Sequence, residues 1–367
     1  MKTLIDVLIT PRLLISLSAQ NQSLIISEAR YFTMLAQLYY LYEDEALLDK
    51  LPQKIRTHLH NATYQYQCQH AKLLDEKACF VDLFTAHHFR WIYLKGSAYQ
   101  LSNMPYFKGR MMGDIDILVE EDALASVEHC LLQQGWMAKK VTDYDDSFYR
   151  KLAHEIPPLT HLIRKVDLDV HFNILPRTIK QRIDPQLLFA ASVPLEGNSN
   201  ERTLLPAAML FHSAIHLFSE SEFHKGLRDL YDIKLFIQAH QQDDAFWQQL
   251  IELHQQLGHQ QSLFLALRYA KIIFNATIPR KISRYYQAYR PSRAHLALLD
   301  YCFIPVFTHS FAPRQTLKVK CASAFLYLRG HLKRMPLATL IMHLSRKSWL
   351  SLLPSESNTK ANTKAWR

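Results

Sequence analysis

Asp114 and Asp116 stand two residues apart in the apolar run GRMMGDIDILV, residues 109–119. On a β-strand, residues i and i+2 face the same way, about 6.6 Å apart. The two carboxylates would then share one face while Ile115, Ile117 and Val119 enter the core. Two ionised acids on one partly buried face repel each other unless a cation lies between them. Carboxylate oxygens suit Mg²⁺, with Mn²⁺ as an alternative, in sites that combine one or two acids with substrate phosphates. For the pair taken alone, an exposed strand face with solvated acids is the plainer reading.

Two further stretches bear on the choice. In RWIYLKGSAYQL, residues 90–101, a short aromatic and β-branched run meets Gly96-Ser97. This reads as a strand turning into a helix at Ser97. Glycine lets a phosphate approach the backbone, and a serine hydroxyl with free helix N–H groups can donate to its oxygens; an ordinary capped turn has the same composition. In VDLDVHFNI, residues 166–174, Asp167, Asp169 and His171 alternate with apolar residues. A third carboxylate from this strand could share a metal or accept a proton from an attacking hydroxyl. A satisfied, partly buried histidine is an equal reading of His171.

The elements that must position these residues follow from periodicity. Residues 23–88 have apolar positions at helical spacing, with Ser27 capping or preceding a helix. Strand and helix signals mix over 90–175: WIYL, DIDILV, WMAKKV, LTHLIRK and VDLDVHFNI as strands, and DALASVEHCLLQQG as a helix stopping at Gly135. The run EGNSNERT, 196–203, is a polar linker or a hairpin. From Pro185 helical patterns return and dominate. Expected units are an N-terminal helical segment (1–88), a small α/β or α+β unit (89–184), a helical domain (185–279), a basic helical region (280–353) and a disordered tail (354–367).

Together these pieces resemble the nucleotidyltransferase superfamily that shares its palm with DNA polymerase β. More narrowly, they resemble a bacterial family of uncharacterised nucleotidyltransferases. The resemblance rests on Lys95-Gly96-Ser97, Arg110 ahead of Asp114-Ile115-Asp116, and Asp169-Val170-His171-Phe172. It extends to HSAIHLF and LRDLYDIKLF, with His212, His216, Arg228, Asp229 and Asp232, and covers roughly residues 75–275. It selects Asp169 over Asp167. It implies an α+β fold, a small mixed-sheet palm flanked by N-terminal helices and a C-terminal helical domain. It also implies transfer of a nucleoside monophosphate from an NTP to an acceptor hydroxyl, with pyrophosphate released. Asp114, Asp116 and Asp169 would be the catalytic acids and would hold Mg²⁺. Gly96 and Ser97 would meet the phosphates, Lys95 or Arg110 would add positive charge, and His171 and Asp232 would be accessory. A salt bridge between Arg228 and Asp232, four apart on a helix, is the expected role of that pair. His212 and His216 share a helix face but lack a third good zinc ligand.

Charge is uneven. The chain has 43 Lys/Arg and 33 Asp/Glu, and residues 280–367 alone hold 16 and 2 of them. Such a segment fits an anionic membrane surface, a nucleic acid or an acidic partner. The preferred reading is that the fold's last helices carry a basic outer face. Nucleic acid is not expected, because no RNA-binding motif is recognised. Five cysteines without CxxC spacing argue for a reducing compartment. An interrupted N-terminal apolar run makes a poor signal peptide. The expected location is cytoplasmic, with peripheral contact at the inner membrane face as an option. Two other functions stay open: a nucleotide-binding regulator without turnover, and template-free nucleotide addition to RNA.

Overall fold

The computed structural model describes residues 2–138, 143–179, 181–195 and 198–334. The expected tail and the second part of the basic region, from 335 onward, lie outside them. Five helices come first: α1 (Leu4–Ile9), α2 (Leu13–Ser16), α3 (Ala19–Tyr31), α4 (Leu35–Asp44) and α5 (Gln53–Ala86). An α+β unit follows: β1 (Trp91–Leu94), α6 (Lys95–Leu101), β2 (Ile115–Val119), α7 (Leu124–Gln133), β3 (Trp136–Ala138), α8 (Asp143–Leu152), β4 (Leu159–His161), β5 (Asp167–His171), α9 (Pro185–Ala190), β6 (Ser192–Leu195) and β7 (Asn198–Leu204). The rest is helical: α10 (Pro206–Ser219), α11 (Gly226–Ala239), α12 (Asp244–Leu257), α13 (Gln260–Phe274), α14 (Arg280–Gln287), α15 (Arg293–His309) and α16 (Leu317–Arg334).

The strands form one mixed sheet in the order β3-β4-β5-β2-β1-β7-β6. β2 lies at its centre, antiparallel to β1 and parallel to β5. Every residue of β2 is buried, as a central strand covered on both faces requires. The sheet runs past the expected boundary at 184. Of the polar run at 196–203, residues 198–203 lie in β7, which pairs antiparallel with β6 and parallel with β1, and 196–197 lie outside the described residues. Phe80 and Phe84 at the C-terminal end of α5 stack near Trp136 and Trp91, with ring centroids 5.7 and 5.2 Å apart. α10 is buried along most of its length and packs against α11, α12 and α13.

Some local boundaries shift. Ser18 caps α3, and Ser27 lies inside it with its hydroxyl on Ser23 O. α6 begins at Lys95, so Gly96 and Ser97 sit in its first turn instead of starting it. α7 ends as expected, with Gly135 at φ +88° just beyond.

The N-terminal helices reach the loop that leads into β2. Gln69 of α5 clasps Met112, donating from Nε2 to its carbonyl and accepting its N–H, both at 2.9 Å. Gly109 has φ +81°, and a Cβ there would lie 2.6 Å from the backbone of Ala36 in α4. Gly109→Ala therefore combines a left-handed backbone with a backbone clash and is expected to cost about 2 kcal/mol or more. Urea unfolding measures this, and a loss below a few tenths would show that the loop is not held against α4.

Candidate functional site

The register of the sheet brings the motifs together. Leu94, at the end of β1, lies opposite Asp116 on β2, and Asp116 lies beside Asp169 on β5. Strands are spaced about 4.8 Å apart, so adjacent in-register side chains emerge on one face as neighbours. His171 is two residues beyond Asp169 and shares that face. Ligand atoms of Asp116, Asp169 and His171 lie within 4.8 Å of one another. Asp114 immediately precedes β2 and lines the same solvent-open cleft as Asp116. Lys95, Gly96, Arg110, His216, Arg228 and Asp229 also line it.

Asp116 is the hub. Lys95 Nζ donates to its Oδ1 at 2.7 Å, and His171 Nε2 meets the same oxygen at 3.0 Å. An ionised carboxylate only accepts, so Nε2 carries the proton. His171 Nδ1 faces Glu155 Oε2 at 3.1 Å. Burial works to raise the Asp116 carboxyl, but the Lys95 ammonium and His171 outweigh it and hold it well below the usual carboxylate range. Lys95 itself takes a left-handed backbone, φ +47°. This is an uncommon conformation for a side-chain-bearing residue.

The other two acids are in the opposite state. Neither Asp114 nor Asp169 has a hydrogen-bond donor among the described residues. Burial, then repulsion from Asp116, Glu155 and Asp114, pushes the Asp169 carboxyl up to about 7. Burial, followed by Asp116, also raises Asp114. Half-buried carboxylates lacking donors beside a fully ionised one form an oxygen-rich set with room for a hard cation. The donor chemistry therefore fits a divalent metal. Lys95 supplies the positive charge in its place.

Ser97, Gly96 and Arg110 serve the framework here. The Ser97 hydroxyl is fully buried and donates to Leu94 O at 2.7 Å, with Asp116 O at 3.2 Å. It ties β1 to β2 and is not turned toward the cleft. A Cβ on Gly96 would lie 2.7 Å from Met112 Cβ, so the missing side chain lets the 110–113 loop close on α6. Arg110 is buried with its guanidinium on Asp232, Nη2 to Oδ2 at 2.7 Å, and on Asp229 at 3.4 Å. The expected Arg228–Asp232 bridge is absent among the described residues. Arg228 pairs with Asp229 at 2.9 Å and reaches Thr33 Oγ1 at 3.0 Å, while Asp232 serves Arg110. Arg110 thus ties the loop before β2 to α11 through Asp232.

Glu155 and Lys225 join the site without any signal in the motifs. Glu155 bridges to His171 from the turn after α8, and Lys225 stands just before α11, where its charge is felt by Asp114. Both come from turns that lack strand or helix periodicity, and only the packing of distant segments brings them to the acids.

No curated protein and no solved structure matches the chain. A family described as "Uncharacterised nucleotidyltransferase" matches residues 18–275, a span holding the sheet, the acids and the helices that close over them. The chain belongs to that uncharacterised nucleotidyltransferase family.

Proposed function

We propose that the protein transfers a nucleoside monophosphate from an NTP to a hydroxyl of an acceptor, a small molecule, a sugar or a protein. The convergence of Asp116, Asp169 and His171 within 4.8 Å, beside Asp114 in a cleft lined by both acids and bases, carries this reading. The acceptor oxygen forms a bond to the α-phosphorus, the bond from that phosphorus to the β-bridging oxygen breaks, and pyrophosphate leaves. The hydroxyl proton goes to Asp169, the acid on β5 beside Asp116. Mg²⁺ or Mn²⁺ held by Asp114, Asp116 and Asp169 would supply charge neutralisation for the triphosphate. His171, fixed between Asp116 and Glu155, orients the central acid. Lys95 has a flexible stem and can exchange Asp116 for a phosphate oxygen, and Lys225 and Arg228 add positive charge on the far wall.

The Lys95–Asp116 contact favours a second reading, nucleotide binding without turnover, since a permanent ammonium there would exclude a cation. Incubation with α-labelled NTPs, Mg²⁺ or Mn²⁺ and an extract of candidate acceptors separates the two. Label in an acceptor with pyrophosphate release supports transfer. Calorimetric NTP binding without product under either metal supports the regulator.

Metal binding should strengthen with pH. A ligating carboxylate must be deprotonated. A carboxyl titrating near 7 makes apparent affinity about tenfold higher at pH 8 than at pH 6. Without metal the sign on stability is the reverse. The unfolded chain releases this proton near pH 4 and the folded one near 7, so that group's contribution to stability declines as pH rises between them. The rise in melting temperature on adding Mg²⁺ is therefore expected to be larger at pH 8 than at pH 6. An equal or smaller rise would remove Asp169 from the metal set.

A further inference from the structure

α16 is apolar on two opposite faces. Val319, Ala322, Leu326 and Gly330 are buried. Gly330 permits the contact, because a Cβ there would lie 2.5 Å from Glu220 O and from Ser221 Cα. Arg329 and Arg334 donate to Phe218 O and Ser219 O at the end of α10, which anchors the helix by its inner side. The outer side carries Leu317, Cys321, Phe325, Leu328 and Leu332, all exposed, Leu317 at 77%. At 3.6 residues per turn these five fall within an arc of about 80°, along a helix about 27 Å long. Lys318 borders the stripe on one side, its Nζ 4.3 Å from the ring of exposed Tyr301 on α15, and Lys320 borders it on the other. A basic outer face was expected here; in the described part of the segment exposed lysines border an apolar stripe.

The charge around the stripe favours one occupant. From residue 280 to 334 the chain has eleven Lys/Arg and one acid, Asp300, which is committed to Arg268 at 2.6 Å; Arg314 and Arg334 are paired with Glu28 and Glu220, and Lys318 and Lys320 stand exposed at the borders of the stripe. A second copy of so basic a surface would repel it, whereas an anionic bilayer offers both hydrocarbon for the stripe and counter-charge for its borders. No helix of the described residues is long and apolar enough to cross a membrane, so the contact would lie in the interface plane. We propose that α16, with Tyr301 and Leu298 of α15 beside it, docks the protein on an anionic lipid surface. The docking does not depend on the catalytic reading, since the stripe shares no residue with the cleft.

Vesicle co-sedimentation of the full chain tests this without nucleotide. The protein should pellet with vesicles of phosphatidylcholine containing about one third phosphatidylglycerol and stay in solution with phosphatidylcholine alone. Raising salt from about 0.1 to 0.5 M should release most of it. The double substitution Phe325→Ser and Leu328→Ser, at exposed positions, should weaken binding at least about tenfold with an unchanged melting temperature. Lys318→Glu with Lys320→Glu should act similarly on anionic vesicles alone. Absence of wild-type binding to anionic vesicles, or wild-type binding by the Phe325/Leu328 variant, would overturn the proposal. So would a lipid-free dimer, seen by sedimentation velocity, that the same variant dissolves, because the stripe would then belong to a second copy.

Discussion

Asp116→Asn is expected to lower nucleotidyl transfer by about 10³-fold or more. The substitution keeps the shape of the side chain and removes its charge. Of the three acids Asp114, Asp116 and Asp169, only Asp116 is held below the usual carboxylate range, and Lys95, His171 and Asp169 are all arranged about it. Losing its charge leaves the Lys95 ammonium and the raised carboxyls of Asp114 and Asp169 without their common reference. The metal-dependent part of NTP binding, read by calorimetry, should disappear with the activity. Circular dichroism should be unchanged, but stability should drop by about 3 kcal/mol, as when one partner of a buried pair is removed. Transfer of label at the wild-type rate by Asp116→Asn would mean that the acids of β2 and β5 are structural.

Arg110→Met should have the largest effect on stability, a loss of about 3–5 kcal/mol in chemical denaturation. Arg110 and Asp232 are buried, 122 positions apart, and join the loop before β2 to α11. Methionine fills the arginine's volume but leaves the Asp232 carboxylate without its cation, while Asp229 keeps Arg228. Burial already raises Asp232 to about 6 against the pull of Arg110, and removing the arginine raises it further. The folded variant then binds a proton that the unfolded chain has released above pH 4, so it loses stability as pH rises from 5 to 8. The variant should accordingly be less impaired at pH 5. Adding Asp232→Leu should recover most of the loss, because a buried pair replaced by apolar groups is often neutral. Simple additivity of the two single changes would show that the contact does not couple the two halves.

Much of the site was legible because strand periodicity is local. The alternation in DIDILV and VDLDVHF is enough to place each acid on the face opposite its apolar neighbours. The two strands appear where that alternation put them, and pairing in register sets Asp116 beside Asp169. The hairpin at 192–204 was harder to assign to the sheet. Its polar residues carry no record that β7 would pair with β1, about 110 positions earlier. Ser97 and Gly96 were read as a phosphate turn from composition that a packing turn shares. Their contacts with Asp116 O and Met112, neither adjacent in the chain, show the packing role they have in the fold.

By itself, then, the order of residues determined the mixing of strands and helices over 90–175, the two acid-bearing strands and the basic character of the C-terminal region. These follow from side-chain spacing over a few residues and from summed charge. Tertiary structure alone decided that Lys95 holds Asp116, that Arg110 pairs with Asp232, that Glu155 backs His171, and that α16 turns an apolar stripe outward. Each of those depends on which distant surface meets a given side chain. Burial and opposite charge then set its partner, and a helix with two apolar faces can bury only the one that finds a neighbour.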